Sequence, residues 1–210
     1  MRTLSDKVVI IDYKMGNLRS VEKAFEKLGV NVVVSSDKDI IQDACKIVLP
    51  GVGAFRDGMQ HLKDLGLIDI LYQEVIQNKK PFLGICLGMQ LLAKKSYEHG
   101  ETDGLGWVDG KVVKFDSSSL KVPHVGWNNA TYKKESVLFK GFPNHSDFYF
   151  VHSYYFSTLE DVVTSSTDYG DDFISSLQKE HIFAVQFHPE KSQKVGLKLL
   201  ENFVNFERSV

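Results

Sequence analysis

Short apolar runs alternate with segments of helical periodicity along the first 85 residues of the chain. Largely apolar runs cover residues 8–12, 30–34, 47–49 and 82–85, and the first of them is a continuous β-branched run. Runs of this kind are typical of strands that are buried on both faces of a sheet. The pattern therefore predicts a parallel sheet that is covered by helices on both sides.

The segments between these runs have the spacing of amphipathic helices. The first helix is indicated by Leu18, Val21, Phe25 and Leu28, with Asn17 as a candidate N-cap and Gly29 as a stop signal. Further helices are predicted around Ile40, between Phe55 and Gln77, from about Leu87 to Lys94, and from about Gln193 to Phe206.

The second half of the chain has a different pattern. Short alternating runs occur at residues 112–115, 148–151, 173–177 and 183–187, separated by turn-like clusters at residues 116–119 and 169–172. These runs predict antiparallel strands that are added to the sheet or packed beside it. We expect an α/β fold with a mixed, mostly parallel central sheet flanked by helices, in a single domain over residues 1–210.

Composition narrows the class of protein only slightly. Hydrophobic residues make up 43% of the chain and charged residues 25%, and the formal net charge is -2. These values are ordinary for a globular protein and give no reason to expect a nucleic-acid or membrane partner. No apolar run is long enough to span a bilayer, residues 1–7 lack the apolar core of a secretory signal, and two cysteines do not form a disulfide framework. We expect a cytoplasmic location.

The strongest candidate for chemistry is Cys86, in the sequence Gly-Ile-Cys-Leu-Gly at residues 84–88. It lies between a predicted strand and a predicted helix, which is the context of a nucleophile elbow. The amino-terminal end of a helix favours the reactive thiolate, and the Leu87 N–H is a candidate oxyanion donor. The alternative interpretation is a buried structural cysteine.

A base and an orienting acid are predicted near the end of the chain. His188 follows an apolar strand, and Glu190 is two residues further on. In an extended segment, residues two apart face the same side, so we expect the carboxylate beside the imidazole. The alternative is a histidine at a strand end with an unrelated surface glutamate.

The other histidines have weaker contexts. His124 and His152 lie in strand-like segments and are candidates to line a site, whereas His61, His99, His145 and His181 are expected to be solvated. We predict no metal site, because the candidate ligands lack compact spacing.

Residues 50–53, Pro-Gly-Val-Gly, follow a predicted strand. They lack the Lys and Ser/Thr of a phosphate-binding loop, and their glycines allow a backbone N–H to approach a ligand closely. A second oxyanion donor in this turn would complement the Leu87 N–H, although a plain βα turn explains the same residues.

Together, the Cys86 elbow, His188 with Glu190, and the turn at residues 50–53 resemble the class I (triad) glutamine amidotransferases. The resemblance narrows to the glutaminase subunit of imidazole glycerol phosphate synthase. It is carried by residues 12–20, 50–55, 84–92, 123–128 and 149–154, and it extends over about residues 8–203. One departure is Lys14, where the family usually has glycine.

The resemblance implies hydrolysis of glutamine to glutamate and ammonia. Cys86 would attack the side-chain amide carbon, His188 would transfer protons, and Glu190 would orient His188. The backbone of Leu87, Val52 and Gly53 would form the oxyanion hole. The glutamine head group would be held by Gly51, Gln90, Glu98, Ser153 and Tyr154. No cofactor is implied.

The resemblance also implies a partner. In the family, ammonia passes to a (β/α)8-barrel subunit that makes imidazole glycerol phosphate and AICAR from PRFAR in histidine biosynthesis, and the two subunits form a heterodimer. The candidate interface residues are Tyr13, Asn17, Pro123, His124 and Trp127, and a core position is the alternative for Trp127. We expect the acceptor site to be on the other chain, because the glutaminase uses the whole length of this one.

Three other functions fit part of the pattern. A glutaminase subunit of a different amidotransferase pathway would keep the same triad. A cysteine peptidase or a γ-glutamyl hydrolase would be active without a partner. A catalytically silent binding module is disfavoured by the intact set of Cys86, His188 and Glu190.

Overall fold

The computed structural model describes residues 7–116, 118 and 120–207. Part of the predicted turn cluster at residues 116–119 lies outside these residues, and so does nearly all of the amino-terminal segment 1–7.

The described residues form thirteen strands and six α-helices. The strands are β1 (Val8–Ile11), β2 (Val32–Ser35), β3 (Lys46–Gly51), β4 (Phe82–Cys86), β5 (Ala93–Ser96), β6 (Thr102–Asp103), β7 (Val108–Lys114), β8 (His124–Tyr132), β9 (His145–His152), β10 (Tyr154–Thr158), β11 (Val163–Tyr169), β12 (Asp171–Lys179) and β13 (Ile182–Val185). The helices are α1 (Leu18–Lys27), α2 (Lys38–Gln42), α3 (Phe55–Asp64), α4 (Leu67–Leu71), α5 (Leu87–Gln90) and α6 (Gln193–Val204). A π-helical turn, Tyr72–Gln77, continues α4, and 3₁₀ turns cover Val137–Phe139 and Pro189–Lys191.

The central sheet has nine strands in the order β2-β1-β3-β4-β13-β12-β11-β8-β9. The first five strands of this order are parallel, and the next four continue the sheet in antiparallel pairs. A second sheet contains β10, β7, β5 and β6. The predicted α/β class is confirmed, and the additional strands of the second half both extend the central sheet and pack beside it.

Both faces of the central sheet are covered. Val9 and Ile11 of β1 belong to one buried apolar cluster, and Val8 and Ile10 belong to another. Because successive side chains of a strand point to opposite faces, the two clusters lie on the two sides of the sheet. This arrangement explains why the first four predicted strands are apolar at nearly every position.

The predicted helix from Leu87 to Lys94 is wrong in its second half, since α5 ends at Gln90 and β5 begins at Ala93. The carbonyl oxygens of residues 91–94 accept hydrogen bonds from backbone N–H groups of residues 104–108. These long-range bonds take the place of further helical turns. Tertiary pairing therefore overrides a local preference for helix.

The carboxyl ends of three parallel strands meet at one edge of the sheet. Gly51 is paired with Cys86 across β3 and β4, and Val185 is paired with Ile85 across β13 and β4. Sites in parallel sheets form at this edge, where the chain leaves the strands. No helix among the described residues is long and apolar enough to cross a membrane.

Candidate active site

Cys86 lies on the sharp turn that the sequence predicts. Its backbone has φ 54° and ψ -108°, a strained combination for a residue with a side chain. Two glycines make the turn possible by close approach. A Cβ on Gly84 would lie 2.7 Å from the carbonyl oxygen of Gly88, and a Cβ on Gly88 would lie 1.7 Å from that of Leu49.

Val151 and Gln186 contact the sulfur of Cys86. Its Sγ is 3.9 Å from the carbonyl oxygen of Val151, and it accepts a hydrogen bond from Gln186 Nε2 at 3.6 Å. The helix that follows Cys86 has only four residues. Its dipole is therefore that of a single turn, a smaller effect than the predicted longer helix would provide.

His188 and Glu190 form the predicted pair. His188 Nδ1 is 2.7 Å from Glu190 Oε1, and each side chain is only 3% exposed. The segment from His188 to Glu190 was expected to be extended, but residues 189–191 form a 3₁₀ turn that begins with Pro189. The turn brings the carboxylate back onto the imidazole.

The charge of His188 is set by three opposing influences. Burial disfavours the imidazolium, but the negative charges of Cys86 and Glu190 outweigh burial and raise the pKa of His188 to about 10. Nε2 of His188 is buried, and no described atom meets the geometry of a hydrogen bond to it, although the sulfur of Cys86 is near enough to raise the pKa of His188. This nitrogen is the one left to exchange a proton with the sulfur.

The turn after β3 lies beside the cysteine, as the pairing of Gly51 with Cys86 requires. Val52 and Gly53 are exposed to the pocket, and Gly53 has φ +113°, which favours glycine. Leu87 is the first residue of α5, so its N–H is not required by the hydrogen bonds of the helix. The candidate oxyanion donors therefore flank Cys86.

A cavity of about 680 Å³ opens over the sulfur. Its lining includes Val52, Gly53, Cys86, Leu87, Gln90, Glu98, Ser153 and Tyr154. Of the predicted substrate residues, only Gly51 is absent from this lining. It is buried beneath the turn, where a Cβ would lie 2.1 Å from the hydroxyl oxygen of Tyr13.

Gln90 and Glu98 are held in place by the protein itself. Gln90 Nε2 donates to the carbonyl oxygen of Tyr154 at 2.9 Å and to Gln186 Oε1 at 3.1 Å. Glu98 Oε2 accepts a hydrogen bond from the backbone N–H of Phe55 at 2.7 Å. Both amide hydrogens of Gln90 are thus used, and its oxygen is the atom available to a substrate donor.

The predicted interface residues separate into two groups. Asn17 and Pro123 are exposed and Trp127 is 49% exposed, so Trp127 is not a core residue. Tyr13 and His124 are 0% and 3% exposed, so their prediction as surface contacts is wrong for this chain. Packing places both side chains inside the protein.

The backbone at Lys14 suits the glycine that the resembled family usually has at this position, and gives no reason for lysine. Lys14 has φ +66°, a region that glycine enters without steric cost. The same loop contains Gly16, where a Cβ would lie 3.3 Å from Gly51 Cα and 3.6 Å from Val52 N. The loop that contains Asn17 therefore packs directly on the turn beside Cys86.

Two histidines predicted as possible site residues form a buried pair. His124 Nδ1 lies 3.1 Å from His152 Nε2, and His152 Nδ1 lies 2.9 Å from the carbonyl oxygen of Tyr154. Burial lowers the pKa of His124 to about 4 and that of His152 to about 3. His181, which was expected to be solvated, is 3% exposed, and its Nε2 lies 2.6 Å from the carbonyl oxygen of Val75.

Gln186 is not among the residues predicted for the site, yet it is fully buried and contacts the sulfur. The available signal was its position two residues before His188, because residues two apart in a strand face the same side. Within the described part of the chain, no group of three or more His, Cys, Asp or Glu side chains is arranged to hold a metal ion.

The chain is similar to known proteins along nearly its whole length. Residues 9–206 match the family described as glutamine amidotransferase class-I. The imidazole glycerol phosphate synthase subunit HisH 1 of Campylobacter jejuni (strain RM1221) is 53% identical over 199 residues, covering 94% of this chain and 98% of the relative. The corresponding HisH subunit of Aquifex aeolicus (strain VF5) is 52% identical over 199 residues, covering 94% and 95% of the two chains.

The fold is also shared with solved structures. A glutamine amidotransferase from Thermotoga maritima superposes with a TM-score of 0.62 at 18% identity, covering 94% of this chain and 81% of the other. At this identity the likeness concerns the fold alone. The sequence matches go further, and they establish that the chain belongs to the class I glutamine amidotransferase family, among the HisH subunits of imidazole glycerol phosphate synthase.

Proposed function

We propose that this chain is the glutaminase subunit of an imidazole glycerol phosphate synthase, with Cys86, His188 and Glu190 as its catalytic residues. The observation that carries the proposal is the position of Cys86. It lies on a strained elbow, at the carboxyl edge of a parallel sheet, opposite a buried His–Glu pair joined at 2.7 Å. The sequence identity of about half with HisH subunits supports the same function.

The first half of the reaction forms a thioester. The thiolate of Cys86 attacks the side-chain amide carbon of glutamine, and the carbonyl electron pair moves to oxygen. Backbone N–H groups of Leu87 and of the turn at Val52 and Gly53 stabilise this oxyanion. The imidazolium of His188 gives its Nε2 proton to the amide nitrogen, the C–N bond breaks, and ammonia leaves.

The second half releases glutamate. Neutral His188 removes a proton from a water molecule, which attacks the thioester carbon. The second oxyanion collapses, the C–S bond breaks, and its electron pair returns to sulfur. Glu190 holds the imidazole in one orientation and stabilises its charged form in both halves.

The glutamine head group would lie in the cavity beside Glu98 and Gln90. The carboxylate of Glu98 and the side-chain oxygen of Gln90 suit an α-ammonium group, and backbone groups of Ser153 and Tyr154 line the same cavity. Gly51 would contribute indirectly. It lies beneath the turn, and the absence of a Cβ leaves room for the hydroxyl group of Tyr13.

Ammonia is useful only if it is not protonated in water, so we propose direct transfer to a (β/α)8-barrel synthase subunit in a heterodimer. Asn17, Pro123 and Trp127 are the proposed contacts, because they are exposed. Tyr13 and His124 would support this surface from within. In this pathway the partner would convert PRFAR to imidazole glycerol phosphate and AICAR.

The test compares two activities of the complex. Cys86→Ala should abolish ammonia release from glutamine, while synthesis from added ammonia should survive in the complex with the barrel partner. Loss of both activities in a folded complex would assign Cys86 a structural role. Glutamate production should also rise when the barrel partner and its substrate are added to the isolated chain, and equal activity in both states would contradict the coupling.

A further inference from the structure

Gln186 lies directly beside the proposed nucleophile because of strand register. The parallel pairing of Val185 with Ile85 places the next residues, Gln186 and Cys86, at the same level of the sheet. Gln186 is fully buried, and its Nε2 lies 3.6 Å from Cys86 Sγ, within hydrogen-bonding distance for a sulfur acceptor. A buried carboxamide costs free energy unless its polar atoms are paired, so its orientation is under strong constraint.

A chain of hydrogen bonds determines that orientation. The carbonyl oxygen of Tyr154 can only accept, so the Gln90 side-chain atom 2.9 Å from it must be the NH₂ group. The second hydrogen of that NH₂ group is directed to Gln186 at 3.1 Å, which must therefore present its oxygen. The NH₂ group of Gln186 is then left facing Cys86 Sγ.

The carbonyl of Tyr154 is itself held by a second series of donors. His152 Nδ1 must carry a proton to bond this carbonyl, so its Nε2 is an acceptor and His124 Nδ1 is the donor to it. His124 Nε2 then accepts from Asn128 Nδ2 at 3.2 Å. Asn128 is adjacent to the exposed Trp127, so the series extends from the cysteine to the outer surface of β8.

We infer that Gln186 is a further catalytic residue, whose NH₂ group donates a hydrogen bond to the thiolate of Cys86. Because the amide is neutral, it stabilises negative charge on sulfur without competing with His188 for a proton. It acts at the start of the reaction, and again when the C–S bond of the thioester breaks and the electron pair returns to sulfur. The inference rests on the proposed role of Cys86 as nucleophile.

The test measures the pH dependence of Cys86 alkylation by iodoacetamide in the isolated chain. Every protein carries Cys45→Ser, so that Cys86 is the one thiol that can be alkylated. Gln186→Met removes the donor at nearly the same side-chain volume. This variant leaves the titratable groups near the sulfur unchanged. They are His188, Tyr13, Tyr154, His152, Glu98, His99, Lys114 and Lys191. A change in the pH dependence of the alkylation rate is therefore due to the loss of the Gln186 amide.

A hydrogen bond to a charged group contributes about 1.5–3 kcal/mol, and 1.4 kcal/mol is a factor of ten, so we expect alkylation to be at least about tenfold slower at pH values below the wild-type half-maximal point. The pH of half-maximal rate should rise by about one unit, with the same limiting rate at high pH. Gln178→Met, the same change at a glutamine of the neighbouring strand β12, should leave the profile unchanged.

A Gln186→Met protein that is folded and has the wild-type alkylation profile would overturn the inference. If Gln186→Met does not fold, Gln186→Glu decides, because its carboxylate keeps the acceptor for Gln90 and removes the donor to the sulfur. A wild-type profile in that variant would likewise contradict the inference. Failure of the proposed function would be seen in a different experiment. If Cys86→Ala still hydrolyses glutamine, Cys86 is not the nucleophile, but the alkylation comparison still shows whether Gln186 donates to its sulfur.

Discussion

The carboxylate of Glu98 accepts a hydrogen bond from the backbone N–H of Phe55, 43 positions away in the chain, at 2.7 Å. Phe55 is the first residue of α3, and the preceding residue, Ala54, provides no side-chain cap. Glu98 therefore caps this helix from a distance while it lines the cavity over Cys86. One side chain connects the proposed glutamine site to the turn that leads into α3.

We predict that Glu98→Ala and Glu98→Gln separate these two roles. Both changes remove the negative charge, so both should raise KM for glutamine. Only Glu98→Ala removes the oxygen acceptor, and loss of a cap costs about 1 kcal/mol of unfolding free energy. Urea unfolding and glutaminase kinetics test this, with Glu101→Ala as the control. Equal stability of the Ala and Gln variants would contradict the capping role.

The raised pKa of His188 depends on its two anionic neighbours. Since burial acts in the opposite direction, we predict that Glu190→Gln and Cys86→Ala each lower the pKa of His188 from about 10. NMR titration of the imidazole in the wild type and the two variants measures this change. A pKa that stays the same in Cys86→Ala would show that the sulfur is not charged beside His188.

The buried pair of His124 and His152 predicts a loss of stability in mild acid. Both pKa values are lowered in the folded chain, to about 4 and about 3, whereas the unfolded chain takes up protons near pH 6.5. Stability from these groups is therefore present above pH 6.5 and falls as the pH drops toward 4 and then 3. At pH 5 the loss for His152 is on the order of 2 kcal/mol.

Urea midpoints at pH 7, 5.5 and 4.5 measure this effect. His152→Gln should show a smaller decrease than the wild type, because glutamine takes up no proton in the unfolded chain. Parallel decreases in the two proteins would mean that other groups, not His152, determine the acid sensitivity.

The glycine at position 88 is predicted to be essential for the elbow. A Cβ there would lie 1.7 Å from the carbonyl oxygen of Leu49, so Gly88→Ala must move α5 away from β3. We expect a loss of about 3 kcal/mol of unfolding free energy or more, together with loss of glutaminase activity. Gly141 has φ +79°, but no atom lies within 4 Å of a Cβ built there. Gly141→Ala should therefore lower the free energy of unfolding by only about 1–2 kcal/mol.

Trp127 is predicted to be an anchor of the partner interface. Trp127→Ala should weaken binding of the barrel partner by about 2 kcal/mol or more, because large exposed aromatic side chains often dominate interfaces. Calorimetric titration measures the affinity. Tyr72→Ala, which removes a comparably exposed aromatic side chain from the π-helical turn, is the matched control. An unchanged affinity of the Trp127 variant would exclude Trp127 from the interface.

Local sequence was sufficient for the features that depend on neighbours in the chain. Apolar runs indicated the parallel strands because burial on both faces requires apolar side chains at every position. The glycine-flanked cysteine indicated the elbow because the turn leaves no room for Cβ atoms at Gly84 and Gly88. The spacing of His188 and Glu190 indicated their pairing, although the 3₁₀ turn that joins them was not anticipated.

Only the tertiary structure decided which polar and aromatic residues are buried and what they contact. Tyr13 and His124 are internal, and α5 ends after four residues because residues 104–108 bond the next carbonyl groups. Gln186 faces Cys86 because strand pairing aligns them and because a distant carbonyl, that of Tyr154, orients two amides in series. Hydrogen bonds between segments some 30 to 100 residues apart leave no periodic signal in the sequence, so a chain of donors of this kind becomes visible only once the strands are assembled.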